Sequence, residues 1–482
     1  MTRLAQLCLL VLLLLATPLV GCSDPSPRGS RGGVVDSGAS ESDAGATADE
    51  DSSRPRPPAT DGAVGPPPPL DAGPPPPASA CTLVSETEIA ALDQACGTTS
   101  LAVDGRGDAH VAWMFGSPIR TAYAVESGDG TFTQQLDPFG TGVQRLALAA
   151  DHDGQPSAVV ELEHGAMSLW TGPSWRERQA IDGIHVIPWG RGLAFAGATL
   201  HGFAQVTDSS TGTYLWGPEH LVGAADRIAL ERLALGRSFN AIDMHVTADG
   251  STGLAYFLYH LDGTDYLAAP PRAPAPLPRW FEIAEASSLI ATAGETVYLL
   301  GREPIEESPG MTRTIIATPA PDGGMVSTPI ATSMESVCRR NPAVREGTTC
   351  DAGALLYGPR GGIASSTDAS SHAPVVVLLR VQESGTLIWD CSTGPTPRCV
   401  PCSWTGDVAR SATIVAGPVE SGTTTLGEVA GLTVAPDAAL ELAMAADGIV
   451  HLVIVENTVA GGTATTCRMR HATLRCSATV ER

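Results

Sequence analysis

One unit recurs along this chain: an apolar alternation, a tight Asp-Gly or Gly turn, then a second apolar run. Leu101-Ala102-Val103-Asp104-Gly105 leads to His110-Val111-Ala112-Trp113, and Leu146-Ala147-Leu148 passes through Asp153-Gly154 to Ala158-Val159-Val160. Met244-His245-Val246 turns at Asp249-Gly250 into Leu254-Ala255-Tyr256-Phe257. Leu289-Ile290-Ala291 turns at Gly294 into Val297-Tyr298-Leu299-Leu300. Leu442-Ala443-Met444 turns at Asp447-Gly448 into His451-Leu452-Val453-Ile454-Val455. Two weaker copies fit between them. One runs from Leu193-Ala194-Phe195 through Gly197 to Phe203-Ala204-Gln205-Val206. The other runs from Leu355-Leu356-Tyr357 across a long Ser/Asp loop to Val375-Val376-Val377-Leu378-Leu379. Glycine tolerates the positive φ of a tight turn, so each copy reads as a β-hairpin. Asp104 and Asp153 lie 49 residues apart, Asp153 and Asp249 lie 96 apart, and Asp249 and Gly294 lie 45 apart.

A period of about 40–50 residues with several strands per unit resembles the blade of a β-propeller. That resemblance implies an all-β ring over residues 81–482, because a single blade cannot bury both its faces without neighbours. Seven blades fit if the last intervals carry insertions, within a range of six to eight. Tandem sandwiches and a solenoid are the competing readings. Helical signal is scarce: Thr87–Ala95 could make two turns, and Ala225–Leu235 has a partly helical apolar period.

The N-terminus carries a different message. Arg3, an apolar run from Leu4 to Leu19, and then Leu19-Val20-Gly21-Cys22 have the layout of an export signal. The run is about 16 residues, short of the roughly 20 that span a bilayer. The tetrapeptide resembles the lipobox of bacterial lipoproteins. The resemblance implies cleavage after residue 21, lipid on the Cys22 thiol and an envelope location, with the outer membrane or cell surface favoured over the inner membrane. A plain secretory signal or a retained anchor are the alternatives. Residues 22–80 are dominated by Ser, Asp, Gly, Ala and Pro, with two four-proline runs at Pro66–Pro69 and Pro74–Pro77. Such a segment lacks the apolar surface to offset its ordering entropy, and its prolines favour an extended stalk.

The formal net charge is −23, and all 29 basic residues are arginine. This balance argues against nucleic acid, which needs clustered basic side chains. It favours neutral glycans, cations or basic proteins, and a protein, peptide or glycan ligand is the expected partner, besides the membrane reached through the lipid.

Eleven cysteines are present, of which Cys8 belongs to the signal and Cys22 to the lipid site. The other nine are disulfide candidates in an exported protein: Cys81, Cys96, Cys338, Cys350, Cys391, Cys399, Cys402, Cys467 and Cys476. Proximity suggests Cys81 with Cys96, Cys338 with Cys350, Cys467 with Cys476, and Cys391 with Cys399 or Cys402. The alternative joins the first two to the last two across the closure of the ring. Cys399-Val400-Pro401-Cys402 has metal or redox spacing, but no second ligand pair accompanies it. No cofactor is implied, and no metal set can be assembled from spacing.

His110 and His451 both enter the second strand of their units, three residues after a glycine, and His201 and His372 fall near the same point. Recurrence of this kind points to a shared hydrogen bond, as in WD-type propellers; a ring of ligands at a channel mouth is the alternative. The Asp-Gly turns are out of step with sialidase Asp boxes, and no G-x-S-x-G elbow has a triad around it. No catalytic residue is therefore assigned. The expected function is a lipid-anchored binding or interaction module, with an extracytoplasmic polysaccharide hydrolase or lyase as the alternative. Trp113, Trp170, Trp175, Trp189, Trp216 and Trp280 are the candidate ligand-binding aromatics.

Overall fold

A computed structural model describes residues 81–181, 185–186, 192–208, 215–249, 252–270, 272–283, 288–305, 312–320, 324–332, 334–336, 349–367, 372–391, 399–419, 424–460 and 463–477. The signal, Cys22, the stalk, Trp189 and Cys338 lie outside these residues. The side chains of Cys350, Cys391, Cys399 and Cys402 are also outside them.

Residues 81–477 form a seven-bladed β-propeller: seven antiparallel sheets of four or five strands follow one another along the chain. Blade one is Cys96–Val103, Ala109–Phe115, Arg120–Glu126 and Phe132–Leu136. Blade two is Val143–Ala150, Pro156–Leu162, Met167–Thr171 and Arg176–Ile181. Blade three is built on Leu193–Ala196, Thr199–Asp208, Leu215–Ala224 and Arg227–Arg232. Blade four is Phe239–Asp249, Thr252–Leu261, Thr264–Ala269 and Arg272–Pro276. Blade five is built on Ile290–Ala293, Thr296–Pro304, Thr312–Pro319 and Met325–Thr332. Blade six is the longest, with Thr349–Ala364, Val375–Cys391, Cys399–Pro418 and Gly427–Thr433. Blade seven joins both ends of the domain: Ala439–Met444, Ile449–Ala460 and Thr463–Cys476 take Cys81–Leu92 as their outer strand. The first strands of successive blades touch, and the first strand of blade seven touches that of blade one, so the ring is closed.

Burial explains why the sequence reads as near-continuous apolar runs. In blade one the second strand, Ala109–Phe115, is buried at every position, whereas the outer strand Phe132–Leu136 is half-buried or exposed throughout. The apolar clusters straddle blades. Trp113, Val111 and Ala124 of blade one pack on Val453, Val455 and Met469 of blade seven, and Ala147 and Leu169 of blade two pack on Phe195 and Leu221 of blade three. Each sheet thus completes its neighbour's core, as the repeat required.

The turns are more specific than the Asp-Gly signature suggested. In blades one, two and seven the same loop recurs. The amide of Asp104, Asp151 or Ala445 bonds the carbonyl four residues on, and Gly107, Gly154 or Gly448 donates back three residues. These glycines have φ of +88°, +81° and +82°, so they, not Gly105, take the left-handed position of a bulged type I turn.

Three expectations are corrected. Thr87–Ala95 is no helix; most of it belongs to the strand Cys81–Leu92, which pairs along Thr463–Cys476. Arg227–Arg232 within the second helical candidate is the outer strand of blade three. Both segments are recruited by an open sheet edge, a long-range opportunity that outweighs local propensity. In blade six, Val375–Leu378 pairs with Gly361–Ala364, while Leu355–Tyr357 pairs further along with Arg380–Gln382. The first strand of that blade therefore runs through much of the stretch read as a loop.

Candidate functional site

Among the described residues, the ring seam, where blade seven meets blade one, gathers a cluster of titratable side chains that includes Glu126, His451 and His471. Two disulfides close it, Cys81–Cys476 and Cys96–Cys467, so the local pairings Cys81–Cys96 and Cys467–Cys476 are overturned and the ring-closing alternative stands. The reason is register: Cys81 lies directly opposite Cys476 in the closing strand pair. The side-chain amide of Asn457 adds a clamp, accepting from the Cys96 amide at 2.9 Å and donating to its carbonyl at 3.1 Å. Arg470 is buried and ion-paired to both Glu86 of the closing strand and Glu456.

On the blade-one side, Asp104 Oδ1 accepts the amides of Arg106 and Asp108, each at 2.9 Å. Asp104 Oδ2 takes Arg106 Nη2 at 3.1 Å and faces His110 Nε2 at 3.4 Å. His110 Nδ1 is 2.7 Å from the Tyr123 hydroxyl. Burial opposes ionisation of Asp104, but the bonds from His110, Asp108 and Arg106 outweigh it and hold the carboxyl well below the usual range. Burial, with the Asp104 charge added, pushes the Tyr123 phenol up, so it stays protonated and donates to His110. The histidine then donates to Asp104 from its other nitrogen. All three side chains are buried, which makes this a structural relay.

The same diagonal recurs. His110 faces Val125 across the sheet and bonds the residue two before it; His201 faces Val222 and bonds His220; His451 faces Thr473 and bonds His471. The imidazole contacts are 3.0 Å in both histidine pairs. Burial, and secondarily His220, pushes His201 down to about 4. Burial pushes His451 down to about 4, and burial with His451 pushes His471 down to about 3. Only the blade-seven pair gains a carboxylate from a neighbouring blade. Glu126 Oε1 is 3.7 Å from His471 Nδ1, and Glu126 Oε2 is 4.0 Å from His451 Nδ1. Burial raises the Glu126 carboxyl against the opposing bond from the Ala109 amide, and the Asp108 charge adds to the rise.

On the edge formed by the strand-two-to-three loops lies an open groove of about 700 Å³ between blades one and two. Ile119, Arg120, Asp137, Gly142, Leu162 and Glu163 are among its lining. Arg120 forks onto Asp137 at 3.1 and 2.5 Å and also stands over the Phe115 ring at 5.4 Å. That guanidinium, helped by the Thr121 amide, holds the Asp137 carboxyl below its ordinary range.

The tryptophans fare differently. Trp113 and Trp175 are buried, so neither offers a binding surface; Trp175 packs edge-on against Tyr123 and Phe139. Trp170, Trp216 and Trp280 are half-buried and packed against interblade clusters. A blade faces its neighbour on both sides, and large rings fill that space. His372 is exposed, ahead of its strand, and does not join the histidine pattern. Glu126, His471, His220, Arg120 and Asp137 were not singled out from sequence. A usable signal was present: His201 and His220 are 19 residues apart and His451 and His471 are 20 apart, one hairpin in each case.

No protein-family model matches the chain, and no curated protein matches it. Solved structures that resemble it include the polysaccharide lyase Uly1, with a TM-score of 0.43 and 8% identity over 82% of this chain and 100% of that one. A protein of unknown function from Dyadobacter fermentans has a TM-score of 0.36 and 10% identity over 83% of this chain and 100% of that one. The propeller domain of the Trilobed protease from Pyrococcus furiosus has a TM-score of 0.36 and 8% identity over 79% of this chain and 94% of that one.

Proposed function

We propose that this protein is a lipid-anchored binding module of the cell envelope, held through Cys22 and a proline-rich stalk, that takes a glycan or peptide in the groove between blades one and two. The lipobox-like tetrapeptide and the composition of residues 22–80 support the anchor and the stalk. The chemistry of the groove carries the binding reading. A fixed Arg120–Asp137 ion pair beside Ile119 and Leu162 offers charge, hydrogen bonds and an apolar edge to an extended polar ligand. Glycoside hydrolysis needs one carboxyl kept protonated beside a second that is ionised. Arg120 lowers the Asp137 carboxyl, the opposite of the shift a proton donor needs.

The test is an array of envelope glycans and peptides probed with the full-length protein, followed by Arg120→Ala and Ile119→Ser. Saturable binding that weakens at least tenfold in both variants supports the groove; binding indifferent to both sinks it. Cys22→Ala should move the protein out of the membrane fraction, and retention there would refute the anchor. The enzyme reading retains one point in its favour, since Asp137, Glu163 and Arg120 line a common groove. Polysaccharide cleavage abolished by Glu163→Gln would replace binding with catalysis.

A further inference from the structure

We propose that Glu126, His451 and His471 form a binding site for a first-row divalent cation, best matched by Zn²⁺, which acts as a third cross-link across the ring seam. One donor atom from each residue lies within 4.8 Å of the others. His451 Nδ1 is 3.0 Å from His471 Nε2 and 4.0 Å from Glu126 Oε2. A tetrahedral ion with nitrogen and oxygen ligands at about 2.0–2.2 Å holds them about 3.3–3.5 Å apart. Shifts of at most about an ångström per atom therefore convert the present arrangement into a coordination shell.

The ligand set also fits by type. Two imidazoles and one carboxylate suit Zn²⁺, whereas Ca²⁺ and Mg²⁺ require mostly oxygen. At present one imidazole donates its N–H to the other. On binding, that proton moves to the far nitrogen of its own ring, so both ligands stay neutral and the only charge supplied is that of Glu126. Outer contacts already aim the ligands. The Ala109 amide donates to Glu126 Oε2 at 3.2 Å, and the Phe132 ring stands edge-on to His471 with centroids 5.3 Å apart. Such supports orient first ligands in metal sites.

Comparison within the molecule sharpens the case. The blade-three pair has the same diagonal and the same 3.0 Å contact. Its nearby carboxylate, Glu231, comes from the adjoining strand of its own blade and is 59% exposed. The Glu126 side chain comes from the next blade and is 13% exposed. This leaves the seam site two buried ligands and one ligand at its edge, and a fourth would come from solvent on the Glu126 side. Sequence spacing could not assemble the set, because Glu126 and His451 lie 325 residues apart.

The test is a Co²⁺ titration of the full-length, metal-stripped protein, read by its d–d absorption and by paramagnetically shifted imidazole resonances, with Zn²⁺ competition. The expected result is one Co²⁺ per chain, displaced by Zn²⁺, with two shifted imidazoles. Glu126→Gln should weaken binding at least tenfold, and His201→Gln should leave it unchanged. Zn²⁺ should raise the melting temperature of the wild type but not of Glu126→Gln. Absence of saturable binding to the wild type, a thiolate-to-cobalt charge-transfer band in place of shifted imidazoles, or equal affinity in Glu126→Gln would each overturn the site. The wild-type resonances decide the matter even if a variant fails to fold.

Discussion

The seam between blades seven and one and the junction of blades four, five and six solve one problem by different means. At the inner junction consecutive chain segments meet, and hydrogen bonds hold them. Asp243 Oδ2 accepts the amides of Leu289 and Ile290 at 2.6 and 3.1 Å. His245 Nε2 lies 3.2 Å from Thr292 Oγ1 and 3.1 Å from Ser365 Oγ, which itself accepts the Thr292 amide. Ser288 and Ile363 exchange two bonds between blades five and six. At the seam no connecting peptide ties the first strand to the last; Cys81–Cys476 does so instead, and Cys96–Cys467 fastens blade one to that same last strand. A ring that closes on an N-terminal strand can unzip from that strand, so covalent links are most effective there. Where the chain runs straight on, a few satisfied buried polar groups suffice.

Removing both cross-links by Cys81→Ser, Cys476→Ser, Cys96→Ala and Cys467→Ala is the strongest way to break this comparison. The links span 395 and 371 residues, and loops of that size confine the unfolded chain enough for a loss of about 5 kcal/mol. A urea midpoint shift worth less than about 1 kcal/mol would mean that the seam is held by its hydrogen bonds after all. Asp243→Ala is the matching cut at the inner junction. It strands two buried amides and should cost about 3 kcal/mol, with no effect of reductant on the difference. A cost below about 1 kcal/mol would show that the polar junction is dispensable.

Acid titration comes next. Burial and His220 depress His201 to about 4, against about 6.5 in the unfolded chain. Between those values the unfolded chain holds more protons, so stability is complete above about 6.5 and falls as pH drops toward 4. Allowing for partial solvent screening, the loss is about 2 kcal/mol, and His201→Gln should flatten the pH profile by that amount. A profile of unchanged slope in this variant would assign the acid lability elsewhere. The smallest effect is expected from Asn457→Ala. Two bonds to Cys96 disappear, for about 1 kcal/mol in the oxidised protein. A larger cost in the variant lacking Cys96–Cys467 would show that clamp and disulfide share the work of closure, whereas strict additivity would separate them.

Much of this architecture was legible in the chain. The hairpins around Asp104, Asp153, Asp249, Gly294 and Asp447 lie in blades one, two, four, five and seven, because alternation and turn residues are local properties. Blade six was only half legible: its strands, of 16, 17 and 20 residues, are longer than those of the other blades, so Leu355–Tyr357 stood in for an inner strand that lies at Gly361–Ala364. The tryptophan reading was weakest. Exposure depends on which neighbouring blade covers a ring, and nothing beside Trp113 or Trp175 in the sequence says so.

The sequence by itself determined that this domain is a succession of hairpins, since the spacing of glycines and the period-two apolar pattern act over a few residues at a time. It also determined that no unit could stand alone, because each carries apolar side chains on both faces. Only the tertiary structure decided which strand closes the ring, which cysteines meet, and which histidines acquire a carboxylate. Those outcomes depend on groups more than 300 residues apart arriving at one seam, and register and ring geometry, not neighbouring residues, bring them there.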